Sequence, residues 1–287
     1  MNKVLEFIKS QGAGNDFILI SDLKKIIELN PEKIRWLCNR HFGIGADGVI
    51  LVRPPMSSKA EFFMLFYNSD GTMAEMCGNG IRCFAKFLYD QCLITKDTVS
   101  IETPGGIKDV QLIFNNKEVA GAKVNMGNFS FKAIDIPINI EKKELIDEEI
   151  EVDSQKLKIT CVSTGNPHCV IFVKNVSNVP IDIIGPKIEN MKIFPNKTNV
   201  EFAQVVNKSE IKLRVWERGV GETLACGTGA CATVVAANKL GLTQKRVSVH
   251  LLGGDLEIEI MNNDVSMIGP AKEIFTGKIY LNQEDCN

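Results

Sequence analysis

The 287-residue sequence has almost no net charge, because 33 lysines and arginines stand against 35 aspartates and glutamates. Such a balance offers no field that would hold a phosphate backbone or an anionic lipid surface, so we expect no nucleic-acid partner and no membrane partner. The sequence also lacks the run of ~20 apolar residues that a membrane helix needs, and its first residues lack the apolar segment of a signal peptide. We therefore expect a cytoplasmic protein in a reducing compartment.

Metal-binding patterns are scarce as well. The sequence has only three histidines, far apart along the chain: His41, His168 and His250. Its glycine-flanked cysteine pairs are spaced as C-x5-C and C-x4-C, whereas structural zinc sites use C-x2-C. Nine cysteines, an odd number at irregular spacing, also argue against a disulfide framework. We expect no metal, and we keep a cysteine-based metal or redox-binding module as the alternative from a different functional class.

Hydrophobic periodicity predicts many short strands and few helices. The predicted strands are residues 17–20, 49–52, 62–67, 110–114, 170–173, 211–215 and 247–251. The predicted helices begin at Pro31 behind an Asn30 cap, cover 81–88, and run from about 230 to 240. The charged run at 141–151 is expected to be a solvated loop. Without strict βαβ alternation, this pattern indicates an α+β fold.

One glycine-rich segment resembles a nucleotide site but has the wrong context. Residues 43–48 fit G-x-G-x-x-G, the dinucleotide-binding pattern. That pattern needs a strand before it and a helix after it, whereas here a helix precedes and a strand follows. We exclude a dinucleotide cofactor on this basis.

A duplicated cysteine block carries most of the chemical information. Cys77-Gly78-Asn79-Gly80 lies 62 residues after Asn15, and Cys226-Gly227-Thr228-Gly229 lies 60 residues after Asn166, counted between the named residues. Each block leads into an apolar helix, and each asparagine follows a glycine. The repeat predicts two similar domains, with a boundary near 115–117 or shortly after.

A cysteine followed by Gly-x-Gly at a helix start lies where free backbone N–H groups and the positive end of the helix dipole converge. These amides favour a thiolate and can also hold a substrate carboxylate, while glycine allows close approach. Two such thiols suit inversion at a carbon acid, in which one base removes a proton and an acid on the opposite face returns one. We therefore interpret Cys77 and Cys226 as an acid–base pair.

Other polar residues near the blocks allow two interpretations. His168 is either a structural hydrogen-bonding residue or a group that tunes a thiol. Glu217-Arg218, nine residues before Cys226, is either a solvated ion pair or a reader of ammonium and carboxylate. Among the remaining cysteines, Cys83 and Cys231 fall on helices and are expected in the core, and five have no assigned role: Cys38, Cys92, Cys161, Cys169 and Cys286.

These motifs resemble the diaminopimelate epimerase family over nearly the whole chain. The matching segments are residues 7–17, 41–47, 68–83, 165–169, 199–202 and 217–231. The resemblance implies a cofactor-independent isomerase that interconverts LL- and meso-diaminopimelate for lysine and peptidoglycan synthesis. It also implies two pseudo-symmetric domains, residues 1–121 with 270–287 returning to them and residues 122–269. Each would be a curved, mostly antiparallel sheet around a central helix, with the site in the cleft between them.

The resemblance also implies roles for individual residues. Cys77 and Cys226 would be catalytic, with Gly78, Asn79, Gly227 and Thr228 offering helix-start amides to the reacting carboxylate. The distal end of the substrate would be recognised by Asn15, Asn68, Asn166, Asn199 and Arg218. Glu217 would contact the ammonium group, and His168 and Glu217 would tune the thiols. No cofactor is implied, the partner is a small-molecule substrate, and a homodimer remains open.

Two departures and one rival accompany this resemblance. Many members have His-Gly-Leu-Gly where this chain has Gln11-Gly12-Ala13-Gly14, and some have a substrate-contacting glutamine where it has Gly48. The rival is a proline or hydroxyproline racemase of the same fold, whose second block also reads Cys-Gly-Thr-Gly. Its first block usually has histidine after Cys-Gly, where this chain has Asn79. Proline also lacks the second charged end of diaminopimelate, which Arg218 and the asparagines would bind.

Overall fold

The structure is a computed structural model that describes residues 3–281, so Cys286 and the rest of the predicted return segment beyond 281 lie outside the described residues. The chain divides into two compact units. The first contains the described residues up to Val124 together with those from Gly269 onward, and the second is Asn125–Ile268. No helix among the described residues is both long enough and apolar enough to cross a membrane.

The elements follow one another in an order rich in strands, which confirms the α+β expectation. From the N-terminus to residue 128 they are β1 (Lys3–Gly12), β2 (Asn15–Ser21), α1 (Pro31–Cys38), β3 (Gly48–Arg53), β4 (Phe62–Asn68), β5 (Met73–Ala74), α2 (Gly78–Asp90), β6 (Thr98–Thr103), β7 (Gly106–Asn115) and β8 (Glu118–Asn128). They continue with β9 (Glu148–Val152), β10 (Gln155–Ser163), β11 (Pro167–Phe172), α3 (Ile181–Glu189), β12 (Asn199–Asn207), β13 (Glu210–Glu217), β14 (Gly221–Thr223), α4 (Gly227–Lys239), β15 (Arg246–Leu251), β16 (Gly254–Met261), β17 (Asp264–Pro270) and β18 (Lys272–Leu281). Two short 3₁₀ helices cover Ala133–Asp135 and Val176–Asn178.

In the first unit the strands pair in the order β18-β1-β2-β3-β4-β6-β7-β8, with β5 added to β4. The β2–β3 and β4–β6 pairs are parallel and the others are antiparallel. Helix α2 packs against several of these strands, and its apolar residues Ile81, Phe84 and Leu88 are fully buried. Helix α1 packs elsewhere on the sheet through Ile34 and Leu37. The sheet is therefore mostly antiparallel with α2 as its central helix.

The second unit repeats this plan. Its strands pair in the order β9-β10-β11-β12-β13-β15-β16-β17, with β14 added to β13. The parallel pairs, β11–β12 and β13–β15, occupy the same places in the order as those of the first unit. Helix α4 takes the central place, and Ala230, Val234 and Ala237 on it are fully buried. The same succession of pairings in both units matches the duplication of the cysteine blocks.

One local expectation was wrong, and one helix was missed. The charged run at 141–151 is not a loop throughout, because Glu148–Val152 forms β9, in which Ile150 and Val152 pack on the core of the second unit. Helix α3 was not predicted, since Pro186 interrupts its helical pattern. By contrast, residues 43–48 do follow α1 and lead into β3, which confirms the reversed context of the glycine pattern.

Candidate active site

Both cysteines of the duplicated blocks are N-cap residues, as the sequence predicts. Cys77 precedes α2 and Cys226 precedes α4, each with an extended backbone. The backbone N–H of Gly80 donates to Cys77 Sγ at 3.3 Å. The backbone N–H of Gly229 contributes a hydrogen bond to Cys226 that lowers its pKa. Each sulfur is therefore held where the first-turn amides of its helix point outward.

In the first unit, Cys77 lies beside two of the predicted asparagines. The thiol of Cys77 donates to Asn15 Oδ1 at 3.8 Å, and Asn79 Nδ2 donates to the same oxygen at 3.4 Å. Asn15 Nδ2 donates to Asp47 Oδ2 at 2.6 Å, which turns the amide oxygen of Asn15 toward the sulfur. This orientation suits a protonated Cys77, because an amide oxygen accepts hydrogen bonds and repels a thiolate.

An ion-pair network behind Asn15 was missed by sequence reasoning. Arg40 donates to both oxygens of Asp16 at 3.0 and 2.7 Å and to Asp47 Oδ1 at 2.9 Å. The ammonium of Lys9, itself buried, pairs with Asp16 at 2.8 Å. Although burial raises the pKa of Asp16, hydrogen bonds from Arg40 and Lys9 outweigh it and bring that pKa to about 2. The network fixes Asp47, and through it the amide of Asn15.

The α2 end of this half-site is fixed by a buried arginine. Arg82 is fully buried and donates to the carbonyl of Gly78 at 3.0 Å, to Asn79 Oδ1 at 2.9 Å and to the carbonyl of Pro270 at 3.1 Å. Gly12 lies against the same guanidinium, since a Cβ there would be 3.1 Å from it. The side chain of Asn79 is thereby oriented by both Arg82 and Asn15.

Asn68 ends β4 opposite Gly48, and its Nδ2 donates to Thr72 Oγ1 at 3.0 Å. A Cβ added to Gly48 would overlap the ring of Phe66. The glutamine that some family members have at this position therefore could not be introduced here without moving Phe66.

In the second unit, Cys226 is 6% exposed and its hydroxyl neighbour is Thr228, with 3.5 Å between Sγ and Oγ1. Burial raises the pKa of the Cys226 thiol well above its usual value, and the charges of Glu217 and Glu201 raise it further. Hydrogen bonds from Thr228 and Gly229 act in the opposite direction. The surroundings of Cys226 therefore favour its thiol form over the thiolate.

A fully buried histidine–glutamate pair lies near Cys226. His168 Nδ1 is 2.6 Å from Glu201 Oε1, and His168 Nε2 is 2.8 Å from Asn166 Oδ1. Both side chains have no exposed surface. Glu201 was missed by sequence reasoning, although an acidic residue inside the apolar β12 pattern was a visible signal. His168 thus reaches the sulfur through Asn166 and Thr228, with 3.4 Å between Asn166 Nδ2 and Thr228 Oγ1.

The remaining predicted residues lie at the ends of β12 and β13. Asn199 donates to the carbonyl of Pro167 at 2.9 Å and accepts from the backbone N–H of Arg218 at 2.9 Å. Glu217 accepts from Thr223 Oγ1 at 2.6 Å. The guanidinium of Arg218 is exposed and donates to the carbonyl of Asn196 at 3.1 Å. The main chain at Arg218 is therefore held by Asn199, while its charged group faces solvent.

This turn has a further support that the sequence did not reveal. Glu189 at the end of α3 accepts from Trp216 Nε1 at 2.8 Å and from the backbone N–H of Gly219 at 3.0 Å. Gly185 allows α3 to approach closely, because a Cβ there would be 2.7 Å from the Trp216 ring. Among residues 3–281, no three histidine, cysteine, aspartate or glutamate side chains are grouped as metal ligands.

Structural comparison shows the fold. The chain is similar to a hydroxyproline epimerase from Agrobacterium vitis, with a TM-score of 0.71 and 13% identity over 99% of this chain and 93% of that one. It is also similar to a probable proline racemase from Agrobacterium radiobacter, with a TM-score of 0.73 and 12% identity over 98% of this chain and 94% of that one. At such identities the likeness concerns the fold alone.

Sequence comparison is more specific. The diaminopimelate epimerase family model matches residues 7–132 and 160–274. A diaminopimelate epimerase from Halothermothrix orenii is 49% identical over 97% of this chain and 99% of its own length. One from Methanococcus maripaludis is 48% identical over 96% of this chain and 99% of its own length. With these matches and the duplicated cysteine caps, the chain belongs to the diaminopimelate epimerase family.

Proposed function

We propose that this protein interconverts LL- and meso-diaminopimelate, with Cys77 and Cys226 as the two acid–base groups. Membership of the family makes the chain an isomerase of a small-molecule substrate in lysine biosynthesis. The observation that carries the residue assignment is the pair of cysteines that stand as the N-cap residues of α2 and α4. We extend the role of the product to peptidoglycan synthesis, which uses meso-diaminopimelate.

The reaction requires a thiolate on one face of the substrate carbon and a thiol on the other. In the free protein both surroundings favour the thiol form, because Cys226 is buried and the thiol of Cys77 donates to Asn15 Oδ1, so one of the two has to lose its proton before the reaction begins. The thiolate removes the α-proton, the opposite thiol delivers its own proton, and the protonation states of the two sulfurs are exchanged. The reverse reaction uses the same groups with their roles exchanged, so both directions need both cysteines.

The helix-start amides supply the electrostatic part of the proposal. The backbone N–H groups of Gly78, Asn79, Gly227 and Thr228 point outward from α2 and α4. A substrate carboxylate held by these amides takes up charge as the carbon is deprotonated. This stabilisation replaces the electron sink that a cofactor would provide, so we expect neither chelators nor carbonyl reagents to stop turnover.

The distal ammonium and carboxylate of the substrate are assigned to Asn15, Asn68, Asn166, Glu217 and Arg218. The exposed guanidinium of Arg218 suits a carboxylate, since its donors form a planar fork. Asn199 is assigned a mainly indirect part, because its oxygen and one N–H are committed to backbone groups at Arg218 and Pro167. A second charged end distinguishes this substrate from proline, the substrate class of the rival.

The decisive experiment combines substitution with isotope incorporation. Cys77→Ala and Cys226→Ala should each abolish epimerisation of both isomers, and the two losses should be non-additive because the pair works as a unit. In D₂O the wild-type product should carry solvent deuterium at the inverted centre, since the delivered proton comes from the opposite thiol. Near-normal turnover by either variant, or protium carried from substrate to product, would end the two-thiol proposal.

Two further measurements separate the rivals. Proline and hydroxyproline should not be racemised, and metal analysis of the active protein should find no stoichiometric ion. We place the reaction in the cytoplasm, because both reacting thiols have to stay reduced.

A further inference from the structure

Five side chains of the second unit form one continuous hydrogen-bond chain that ends at the proposed catalytic sulfur. In order they are Glu201, His168, Asn166, Thr228 and Cys226, and we call them the Cys226 chain. The successive contacts measure 2.6, 2.8, 3.4 and 3.5 Å. The five residues lie at or close to the starts of three separate elements, β11, β12 and α4, so only the folded unit brings them together.

The direction of the chain is set at Asn166. An amide oxygen only accepts hydrogen bonds and an amide nitrogen only donates them. His168 Nε2 must therefore carry a hydrogen and donate it to Asn166 Oδ1. At its other end, Asn166 Nδ2 donates to Thr228 Oγ1, which leaves the hydroxyl hydrogen of Thr228 available. That hydrogen is directed at Cys226 Sγ, so the chain ends as a donor to the sulfur.

For the hydrogen bonds of the Cys226 chain to run in this direction, the pair at its other end, His168 and Glu201, has to contribute one proton. With Nε2 protonated, a neutral imidazole presents a bare Nδ1, and the donor in the 2.6 Å contact is then the carboxyl of Glu201. If the imidazole holds that proton instead, the carboxylate accepts it. Wherever the proton lies in this contact, the histidine–glutamate pair holds one shared proton and is neutral overall.

The surroundings of Glu201 favour this neutral pair. No described residue hydrogen-bonds its Oε2, which is fully buried. A full carboxylate charge on an oxygen with no partner is costly in the interior. Burial raises the pKa of Glu201, and the negative charge of Glu217 raises it further. The contact with His168 and a hydrogen bond from the backbone of Cys169 lower this pKa. Gly229 borders Oε1 so closely that a Cβ there would be 2.9 Å away.

We propose that Glu201 is a positioning residue, which holds a proton against His168 and so directs the Cys226 chain toward the sulfur. The inference rests on the proposed function, because it assumes that Cys226 must become a thiolate during turnover. Without Glu201, the imidazole is free to carry its hydrogen on Nδ1. Asn166 can then turn over and accept from Thr228, and Cys226 loses its hydroxyl donor.

The test measures ionisation of Cys226 rather than turnover. In each protein the rate of alkylation by iodoacetamide is measured for Cys226 and, as an internal control, for Cys77, with both sites separated by peptide mass spectrometry. The ultraviolet absorbance of the thiolate, taken as the difference from a matching Cys226→Ser protein, gives a second measure that does not depend on reagent access.

Glu201→Leu should slow alkylation of Cys226 about tenfold relative to Cys77, which corresponds to a rise of about one pKa unit. Glu201→Gln retains an N–H donor for His168 Nδ1 and should stay much closer to the wild type. Thr228→Val removes the last donor directly and should match Glu201→Leu. The double variant should be no slower than Thr228→Val alone, because both changes interrupt the same chain.

Equal slowing by Glu201→Leu and Glu201→Gln would overturn the proposal, as would a double variant whose effect is the product of the single ones. If Glu201→Leu fails to fold, Thr228→Val is measured in the wild-type protein and in Glu201→Gln. It should slow the alkylation of Cys226 equally in both. An unchanged alkylation rate in either protein would refute the proposed hydrogen-bond chain. Failure of the two-thiol reaction would appear separately, as epimerisation that survives Cys226→Ala.

Discussion

Replacing the last glycine of each Cys-Gly-x-Gly block with alanine tests how tightly the start of each central helix is packed. A Cβ on Gly80 would lie 3.1 Å from Cδ1 of Ile50, the end of a flexible side chain. A Cβ on Gly229 would lie 2.9 Å from Oε1 of Glu201, which is fully buried and held 2.6 Å from His168. Both substitutions therefore add one methyl group. At Gly80 the methyl meets a side-chain end that can move, whereas at Gly229 it meets a carboxyl oxygen that is held in place.

The magnitudes follow from two opposing contributions. Replacing glycine with alanine inside a helix gains roughly 0.5–1 kcal/mol of backbone entropy in both cases. Overpacking a core costs about 1–3 kcal/mol, and the low end applies where a terminal methyl can move by a few tenths of an ångström. Gly80→Ala should thus leave the free energy of unfolding within about 0.5 kcal/mol of wild type. Gly229→Ala should lower it by about 1–2 kcal/mol, because the carboxyl of Glu201 cannot move without losing His168.

Differential scanning calorimetry measures the outcome. For a domain of this size, about 1 kcal/mol corresponds to a change of roughly 2–4 °C in melting temperature. Gly229→Ala should therefore melt about 2–8 °C lower, with Gly80→Ala close to wild type. Gly229→Ala should also slow Cys226 alkylation, since it displaces Glu201. A larger loss for Gly80→Ala, or equal losses, would refute the reasoning about both neighbours.

Three further changes have defined outcomes. Because the folded pKa of Asp16 is depressed to about 2, its ionised form stabilises the protein above the unfolded pKa of ~3.9. Asp16→Asn should therefore destabilise at neutral pH, and urea titrations should show the difference shrinking as the pH falls from about 4 toward 2. Glu189→Gln should raise the KM for diaminopimelate several-fold more than it lowers kcat. The carboxylate of Glu189 accepts from Trp216 and from the backbone N–H of Gly219, which flank Arg218, the residue we propose to bind the distal carboxylate of the substrate. An unchanged KM would contradict this. Burial raises the pKa of Cys83 to about 12, so native alkylation should spare it while labelling the exposed Cys92, and early labelling of Cys83 would count against the buried helix face.

Local patterns in the sequence were sufficient to predict much of the fold. Alternating and continuous apolar runs predicted strands that the structure confirms as parts of β2, β3, β4, β7, β13 and β15. The Asn30 cap before Pro31 and the glycines after Cys77 and Cys226 predicted helix starts, which the structure confirms. These signals are readable because capping and periodicity depend on residues a few positions apart.

Helix α3 shows where local patterns failed. Its proline and its short length conceal the helical period, and its stability comes from packing against β12 and β13. Glu189, which supports the turn at Arg218, depends on that helix and was missed with it. Tertiary packing overrides weak local propensity at such positions.

The sequence by itself determined the family motifs, the duplicated cysteine caps and the choice of candidate residues, since each depends on short spacings along the chain. Only the tertiary structure decided which charged groups support them. Arg40 meets Asp16 across 24 residues of sequence, Asp47 meets Asn15 across 32, and Glu201 meets His168 across 33. Nothing local marks such pairs, because a buried charge is stabilised by whichever partner the fold brings within hydrogen-bond distance.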